Sequence, residues 1–349
     1  MNLSRRSQPN DYNPVACARA LSPERVFKEM LRPTVLRLLL LILPALGAHA
    51  ADNGMHPDPG AAVYKIQALG GGQVADGSAV LVSPGRLLTA CHVTRRAESI
   101  RVGREDLKWF AHLAAADVEH DLCVLAVPEL SGARPARIGP TEQLRLSDPV
   151  IAAGYPGGGR LAISHGEIKG LHAHDGASVL QVSTPFDHGQ SGGGLFDSAG
   201  RLIGIIGFKA VAGGNFHYAL PLAWAGDAIP GQAAIPAITE QHEQAFWQRP
   251  VAGMPLFLQA ASLEANREWE SLQGVAQQWV IADETNPASW LCLGRILTRL
   301  KHDHAAARAF GHAAALLPST AAESDQPSPP AKMAEVAFRS VSLDRRARQ

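Results

Sequence analysis

From Ala61 to Pro221 apolar residues come in short runs, each cut off by a turn. Ser78-Ala-Val-Leu-Val82 stops at Ser83-Pro84-Gly85, and Leu87-Leu88 resumes the pattern. Val150-Ile-Ala-Ala153 stops at Gly154-Tyr155-Pro156-Gly157. Val179–Val182, Gly193–Phe196 and Leu202–Ile206 follow, with Asp197-Ser198-Ala199-Gly200 as a hairpin turn. Many short strands with Gly and Pro turns predict an all-β barrel or sandwich. The acidic, Pro-bearing link Glu129 to Pro149 divides this region into two halves of comparable length. After it, residues 229–253 are rich in Ala, Pro and Gln and read as a linker with some local helix. The period then changes: over 254–318 apolar residues fall three and four apart, which predicts helices. From residue 319 to 349 Ser, Pro and charge dominate, and a disordered tail is expected.

The N-terminal fifty residues have a different logic. Arg32 and Arg37 precede an apolar run, Leu38 to Leu46, which ends in Gly47-Ala48-His49-Ala50-Ala51. A basic flank, a short apolar core and small residues at minus three and minus one predict a signal peptide over 1–50, cleaved after Ala50, with Met30 as the expected true start. The run is about half of the ~20 residues a membrane-spanning helix needs, so no stable membrane span is expected. Export predicts a periplasmic or secreted protein and permits disulfides. Of the 349 residues, 32 are Lys or Arg and 32 Asp or Glu, which gives no bulk charge to hold nucleic acid. Removing 1–50 leaves 25 basic and 29 acidic residues, a net charge of about −4, suited to a soluble chain.

Three segments carry candidate chemistry. Leu87-Leu-Thr-Ala-Cys-His-Val93 sets His92 just after a strand, Asp121 opens the strand Asp121-Leu-Cys-Val-Leu125, and Gly189-Gln-Ser-Gly-Gly-Gly-Leu195 holds Ser191 in a glycine-rich turn. A serine hydroxyl is a poor nucleophile until a base removes its proton. An imidazole titrating near neutrality can take that proton and return it to a leaving amine. A buried carboxylate fixes the imidazole tautomer and stabilises the cation that forms. A tight glycine turn can aim the amides of Gly189 and Ser191 at one developing oxyanion.

Thr-Ala-Cys-His92 resembles the histidine box of the chymotrypsin superfamily, Asp121-Leu-Cys-Val-Leu its aspartate strand, and Gly189-Gln-Ser191-Gly-Gly its nucleophile loop. The order His, Asp, Ser at separations of 29 and 70 is similar to the bacterial branch that includes the high-temperature-requirement proteases. Gly77-Ser78, Asp148-Pro149-Val150, Gly154-Tyr155-Pro156 and Gly166-Glu-Ile add to the likeness, which covers about half the chain. It implies a chymotrypsin-like double six-stranded β-barrel over 58–228, followed by a small α-helical repeat domain. It implies a serine endopeptidase with His92, Asp121 and Ser191 catalytic, Gly189 and Ser191 as the oxyanion hole, a protein or peptide substrate, and no cofactor.

Departures from the family pattern refine the expectation. Gln190 replaces the aspartate that zymogen-activated members use, and no Ile-Val-Gly-Gly start exists, so no activation switch beyond signal removal is expected. Pro185 stands where trypsin-type enzymes place an acidic residue, which gives no support for cleavage after Lys or Arg. Pro185, His188, Gly207, Phe208 and Lys209 are expected at the substrate cleft. A long side chain at 208–209 would narrow the pocket toward small apolar residues; the alternative is that Lys209 faces solvent. Period-2 alternation puts Asp121 and Cys123 on one strand face. If His92 meets Asp121, then Cys91 and Cys123 meet as well, and a disulfide is expected, with free thiols as the alternative. No PDZ-like segment follows the barrels.

Two histidine clusters remain: His172, His174 and Asp175 with His165 upstream, and His302 with His304. Neither has zinc-ligand spacing, so no metal is expected and both read as exposed turns. In the helical region Trp290, Leu293, Gly294, Leu297, Ala306, Phe310, Ala313 and Pro318 sit at tetratricopeptide offsets, with a weaker half unit before them. So few repeats need another surface to pack on, so 254–318 is expected either to dock a protein or only to cap the barrels. The rival to an enzyme is a catalytically silent barrel that binds partners in the cell envelope.

Overall fold

A computed structural model describes residues 58–210, 216–229 and 244–317. The expected signal peptide, the disordered tail, Pro318 and much of the expected linker lie outside the described residues. Among the described residues, two closed six-stranded antiparallel barrels are followed by four α-helices. Two such barrels in succession are the chymotrypsin-like double-barrel arrangement expected from the sequence.

The first barrel comprises β1 (Val63–Gly70), β2 (Gln73–Ser83), β3 (Arg86–Ala90), β4 (Ser99–Arg104), β5 (Leu107–Asp117) and β6 (Leu122–Ala126), in the closed order β1-β2-β3-β6-β5-β4. Alternation sets the inside: Tyr64, Ile66 and Ala68 of β1 are buried while Lys65 and Gln67 are not. Ser78 to Ser83 of β2 are buried without a break, because one face of that stretch fills the barrel and the other is covered too. The second barrel comprises β7 (Pro149–Gly154), β8 (Ala162–His174), β9 (Ala177–Val182), β10 (Gly194–Asp197), β11 (Leu202–Ala210) and β12 (Phe216–Pro221), in the order β10-β11-β12-β9-β8-β7. A short helix, α1 (Cys91–Thr94), follows β3. Cys91 and Cys123 are disulfide-bonded, with Cα atoms 4.9 Å apart, and tie α1 to β6.

The helices are α2 (Leu256–Asn266), α3 (Trp269–Ala282), α4 (Pro287–Arg299) and α5 (Asp303–Leu316). Pro287 opens α4 and the Asn286 side chain accepts from Ala288 N at 2.9 Å, a proline start with an asparagine cap. A Cβ at Gly294 would lie 2.5 Å from the Phe310 ring, so only glycine lets α4 and α5 come this close. Phe257, Leu258, Leu272 and Trp279 join one apolar core with barrel residues. The helices are therefore packed on the barrels. Asn286 Nδ2 also donates to Leu171 O at 3.1 Å.

His172 marks that seam. It is not in an exposed turn: it is 2% exposed, in β8, with its ring stacked on Phe257 at 4.5 Å and 2°. Its Nε2 faces Gln181 Oε1 at 2.9 Å. Its Nδ1 is buried without a hydrogen-bond partner among the described residues. His174 is half-buried between Phe246 and Trp224, whereas His165, His302 and His304 are exposed. The expectation of exposure failed at His172 because the helices cover this barrel face.

Burial pushes the pKa of His172 down to about 4 from 6.5. The unfolded chain therefore takes up this proton first as pH falls. Stability should be level above about 6.5 and drop toward pH 4, by about 3 kcal/mol from this group alone. In urea unfolding at pH 7 and pH 4.5, His172→Gln should show a smaller difference than wild type; equal differences would refute the assignment. The bridge between Cys91 and Cys123 closes a separation of 32 residues, worth about 3–4 kcal/mol by loop entropy. Reduction should lower the urea midpoint accordingly, and an unchanged midpoint would mean the bond contributes nothing.

Candidate active site

The end of β3 and the start of β6 bring two candidate groups together. Cys91 N donates to Asp121 O at 3.0 Å, which lays α1 against the turn before β6. Asp121 has φ +60, a left-handed conformation that aspartate tolerates better than most residues. From there its carboxylate turns back to His92: Oδ1 accepts from His92 N at 2.8 Å, and Oδ2 lies 2.7 Å from His92 Nδ1. The Asp121 side chain is 1% exposed and the His92 ring 25%. An ionised carboxylate only accepts, so Nδ1 carries the hydrogen and Nε2 is left as a base.

A third donor comes from far away in sequence. Trp247 Nε1 donates to Asp121 Oδ2 at 3.2 Å. The indole stands edge-on to His92, with ring centroids 5.5 Å apart at 85°, and stacks flat on Phe208 at 4.7 Å and 6°. Neighbouring contacts clamp this segment: Phe246 N donates to Glu119 O at 3.0 Å, and Arg249 pairs with Glu119.

Ser191 lies in a turn tied to the first barrel. Ser78, wholly buried, spends every polar group on this region. Its N–H donates to Ser191 O at 2.9 Å and its hydroxyl to Gly189 O at 2.8 Å. The hydroxyl accepts from Tyr155 N at 2.9 Å, and the carbonyl accepts from Thr89 Oγ1 at 2.7 Å. Gly192 has φ +85, and a Cβ there would fall 2.1 Å from Ser78 O and 3.0 Å from Ala90 N. The Ser191 turn thus rests on the end of β3, two residues from His92. Between the Ser191 hydroxyl and His92 there is no hydrogen bond among the described residues; such bonds often close only in the complex with substrate.

Two peptide planes are fixed so that their amides face away from the protein's own acceptors. His188 O accepts from Gly157 N at 2.7 Å, so the N–H of Gly189, on the same trans peptide, points the other way. Gln190 O accepts from Gly193 N at 2.9 Å, which orients Ser191 N likewise. Neither amide has a hydrogen-bond partner among the described residues. Gly189 takes φ +91, and a Cβ there would meet Tyr155 O at 2.5 Å. Gln190, 5% exposed, holds the loop from within: its Oε1 accepts from Asp187 N at 2.9 Å and its N–H donates to Asp187 O at 3.0 Å.

The expected cleft residues divide. Pro185 and His188 are exposed, and Gly207 is buried in β11. Phe208 is 5% exposed and sandwiched between Tyr218 and Trp247, so its ring fills a stack. Lys209 pairs with Asp187 at 2.5 Å, and its side chain is 37% exposed. Glu119, His174 and Asp175 offer ligand atoms within 4.8 Å of one another, but Arg249 already engages Glu119. The parts of Gln190 and Trp247 escaped the sequence; Ser78 was visible only as a motif residue.

The description "Trypsin-like peptidase domain" matches residues 77–205, a span that contains His92, Asp121 and Ser191. Protease Do-like 2, chloroplastic, of Arabidopsis thaliana is 30% identical over 159 residues, 42% of this chain and 26% of that protein. Periplasmic serine endoprotease DegP of Escherichia coli (strain K12) is 27% identical over 179 residues, 49% of this chain and 37% of that protein. The chain thus spans only about a quarter to somewhat over a third of the length of these curated relatives. The crystal structure of the active form of Rv3671c protease from M. tuberculosis aligns with a TM-score of 0.47 at 24% identity, covering 57% of this chain and 91% of that one. Residues 77–205 thus match a trypsin-like peptidase domain, and the homologues found over this region include serine proteases of the DegP type.

Proposed function

We propose that the chain is an exported serine endopeptidase that cleaves peptide bonds through an acyl-enzyme on Ser191. The observation that carries this reading is the buried carboxylate of Asp121 at 2.7 Å from His92 Nδ1, with the Ser191 turn resting on the same strand end. In the first step Ser191 Oγ attacks the scissile carbonyl carbon while His92 Nε2 takes the hydroxyl proton. The carbonyl oxygen becomes an oxyanion, which the amides of Gly189 and Ser191 receive. His92 then gives its proton to the leaving amine, and the C–N bond breaks. A water, deprotonated by His92, releases the acid and restores the serine. Asp121 stays ionised throughout and balances the imidazolium.

Export rests on the signal-like segment over 1–50, on a disulfide of the kind that oxidising compartments sustain, and on the periplasmic setting in the name of the DegP relative. Among the described residues no helix is long and apolar enough to cross a membrane. Helices α2 to α5, packed beside the barrels, are read as a tetratricopeptide-like surface for docking a protein, with a purely stabilising cap as the alternative.

Mature protein should react with a fluorophosphonate probe at one site, and Ser191→Ala should abolish labelling and lower peptide hydrolysis by about 10⁴- to 10⁶-fold. Asp121→Asn should fold normally yet lose roughly 10⁴-fold in kcat, because Nδ1 then faces a group that can also donate. Wild-type protein that is folded and fails to label, with or without added peptides, would replace the enzyme by the silent binding module.

A further inference from the structure

We propose that Trp247 is a positioning residue of the active site, and that through it the segment leading to the helices takes part in catalysis. The inference rests on the serine-protease reading above and adds to it a group that lies outside the peptidase-domain match at 77–205.

Asp121 needs more than one anchor. The end of an aspartate side chain turns about a broad, nearly two-fold torsion, so its carboxylate plane is set by its hydrogen bonds. His92 N holds Oδ1 at 2.8 Å. Oδ2 faces His92 Nδ1, the group whose position matters, and among the described residues the one further donor to it is Trp247 Nε1 at 3.2 Å. With the indole in place Oδ2 is held from two sides, and part of its charge is spread over a second N–H. Without it, the carboxylate is fixed only through the histidine it is meant to orient, and the whole charge bears on the imidazole.

The indole itself is well held. It stacks on Phe208 of β11, and the residues flanking it are fastened to the loop that carries Asp121. Phe246 is wholly buried, packs on His174, Trp224 and Phe208, and donates from its backbone to Glu119 O. Arg249 pairs with the Glu119 carboxylate. Residues 245–249 are thus built to deliver one N–H to Asp121. A packing role alone would need the ring but not the nitrogen.

The test is the rate at which a small fluorophosphonate, too small to fill peptide subsites, labels Ser191 as a function of pH. Trp247→Phe should label roughly 10- to 100-fold more slowly, the range expected for losing one hydrogen bond to a charged group. The acid limb of its profile should move to higher pH, since a less compensated carboxylate holds the His92 proton more firmly. Replacing Trp247 by β-(3-benzothienyl)alanine keeps ring shape and stacking, removes only the N–H, and should reproduce both changes with little loss of thermal stability. Wild-type rate and profile in that sulfur analogue would overturn the proposal while leaving the serine-protease reading intact. Absence of Ser191 labelling in the wild type would remove both.

Discussion

Asp121 bears a carboxylate that water hardly reaches, at 1% exposure, and a charge in such a place persists only where fixed donors replace its hydration shell. The His92 peptide N–H, the His92 ring and the Trp247 indole are those donors. Each comes from a different level of the structure. The peptide N–H depends on α1 being laid against the turn before β6. The imidazole depends on a side-chain torsion in that short helix. The indole depends on a segment that follows both barrels. The disulfide from Cys91 to Cys123 braces the same junction.

The second half of the site is organised by a serine that does no chemistry. Ser78 belongs to the first barrel, yet its N–H and hydroxyl go to the Ser191 loop and to Tyr155 of the second. A buried hydroxyl that gives and accepts at once is a rigid connector, because breaking either bond leaves a polar atom unsatisfied. Through it the Ser191 turn is registered against β3, the strand that runs into His92. Gln190 closes the loop onto Asp187 from inside, so its shape comes from neutral local hydrogen bonds. Two barrels that could close independently are thereby fixed in one relative position at the point where the reaction is proposed to occur.

Much of this was legible along the chain because short-range rules produce it. Strand alternation such as Tyr64, Ile66 and Ala68 marks the barrels, and glycine at 189 and 192 marks a turn where any Cβ would collide. Cys91 and Cys123 follow once His92 and Asp121 are paired, since Cys91 adjoins His92 and Cys123 lies two residues after Asp121. What stayed hidden depends on long-range packing. Trp247 lies 126 residues from Asp121 in a stretch whose Ala, Pro and Gln content suggested only a connection. His172 sits three residues before the Asp175-Gly176 turn and looked like its neighbour, but α2 covers it and turns a polar position into a buried one. Lys209 was ambiguous because its partner, Asp187, belongs to the loop that carries Ser191.

Everything in the site turns on the buried Asp121 carboxylate holding the Nδ1 proton of His92. Proton NMR of the mature protein, with the imidazole nitrogens labelled with ¹⁵N, observes that proton directly. The expected signal is a far-downfield N–H resonance that correlates with His92 Nδ1, resists exchange with water, and is lost in Asp121→Ala. A His92 whose proton sits on Nε2, or whose Nδ1 resonance is unchanged by removing the carboxylate, would contradict it.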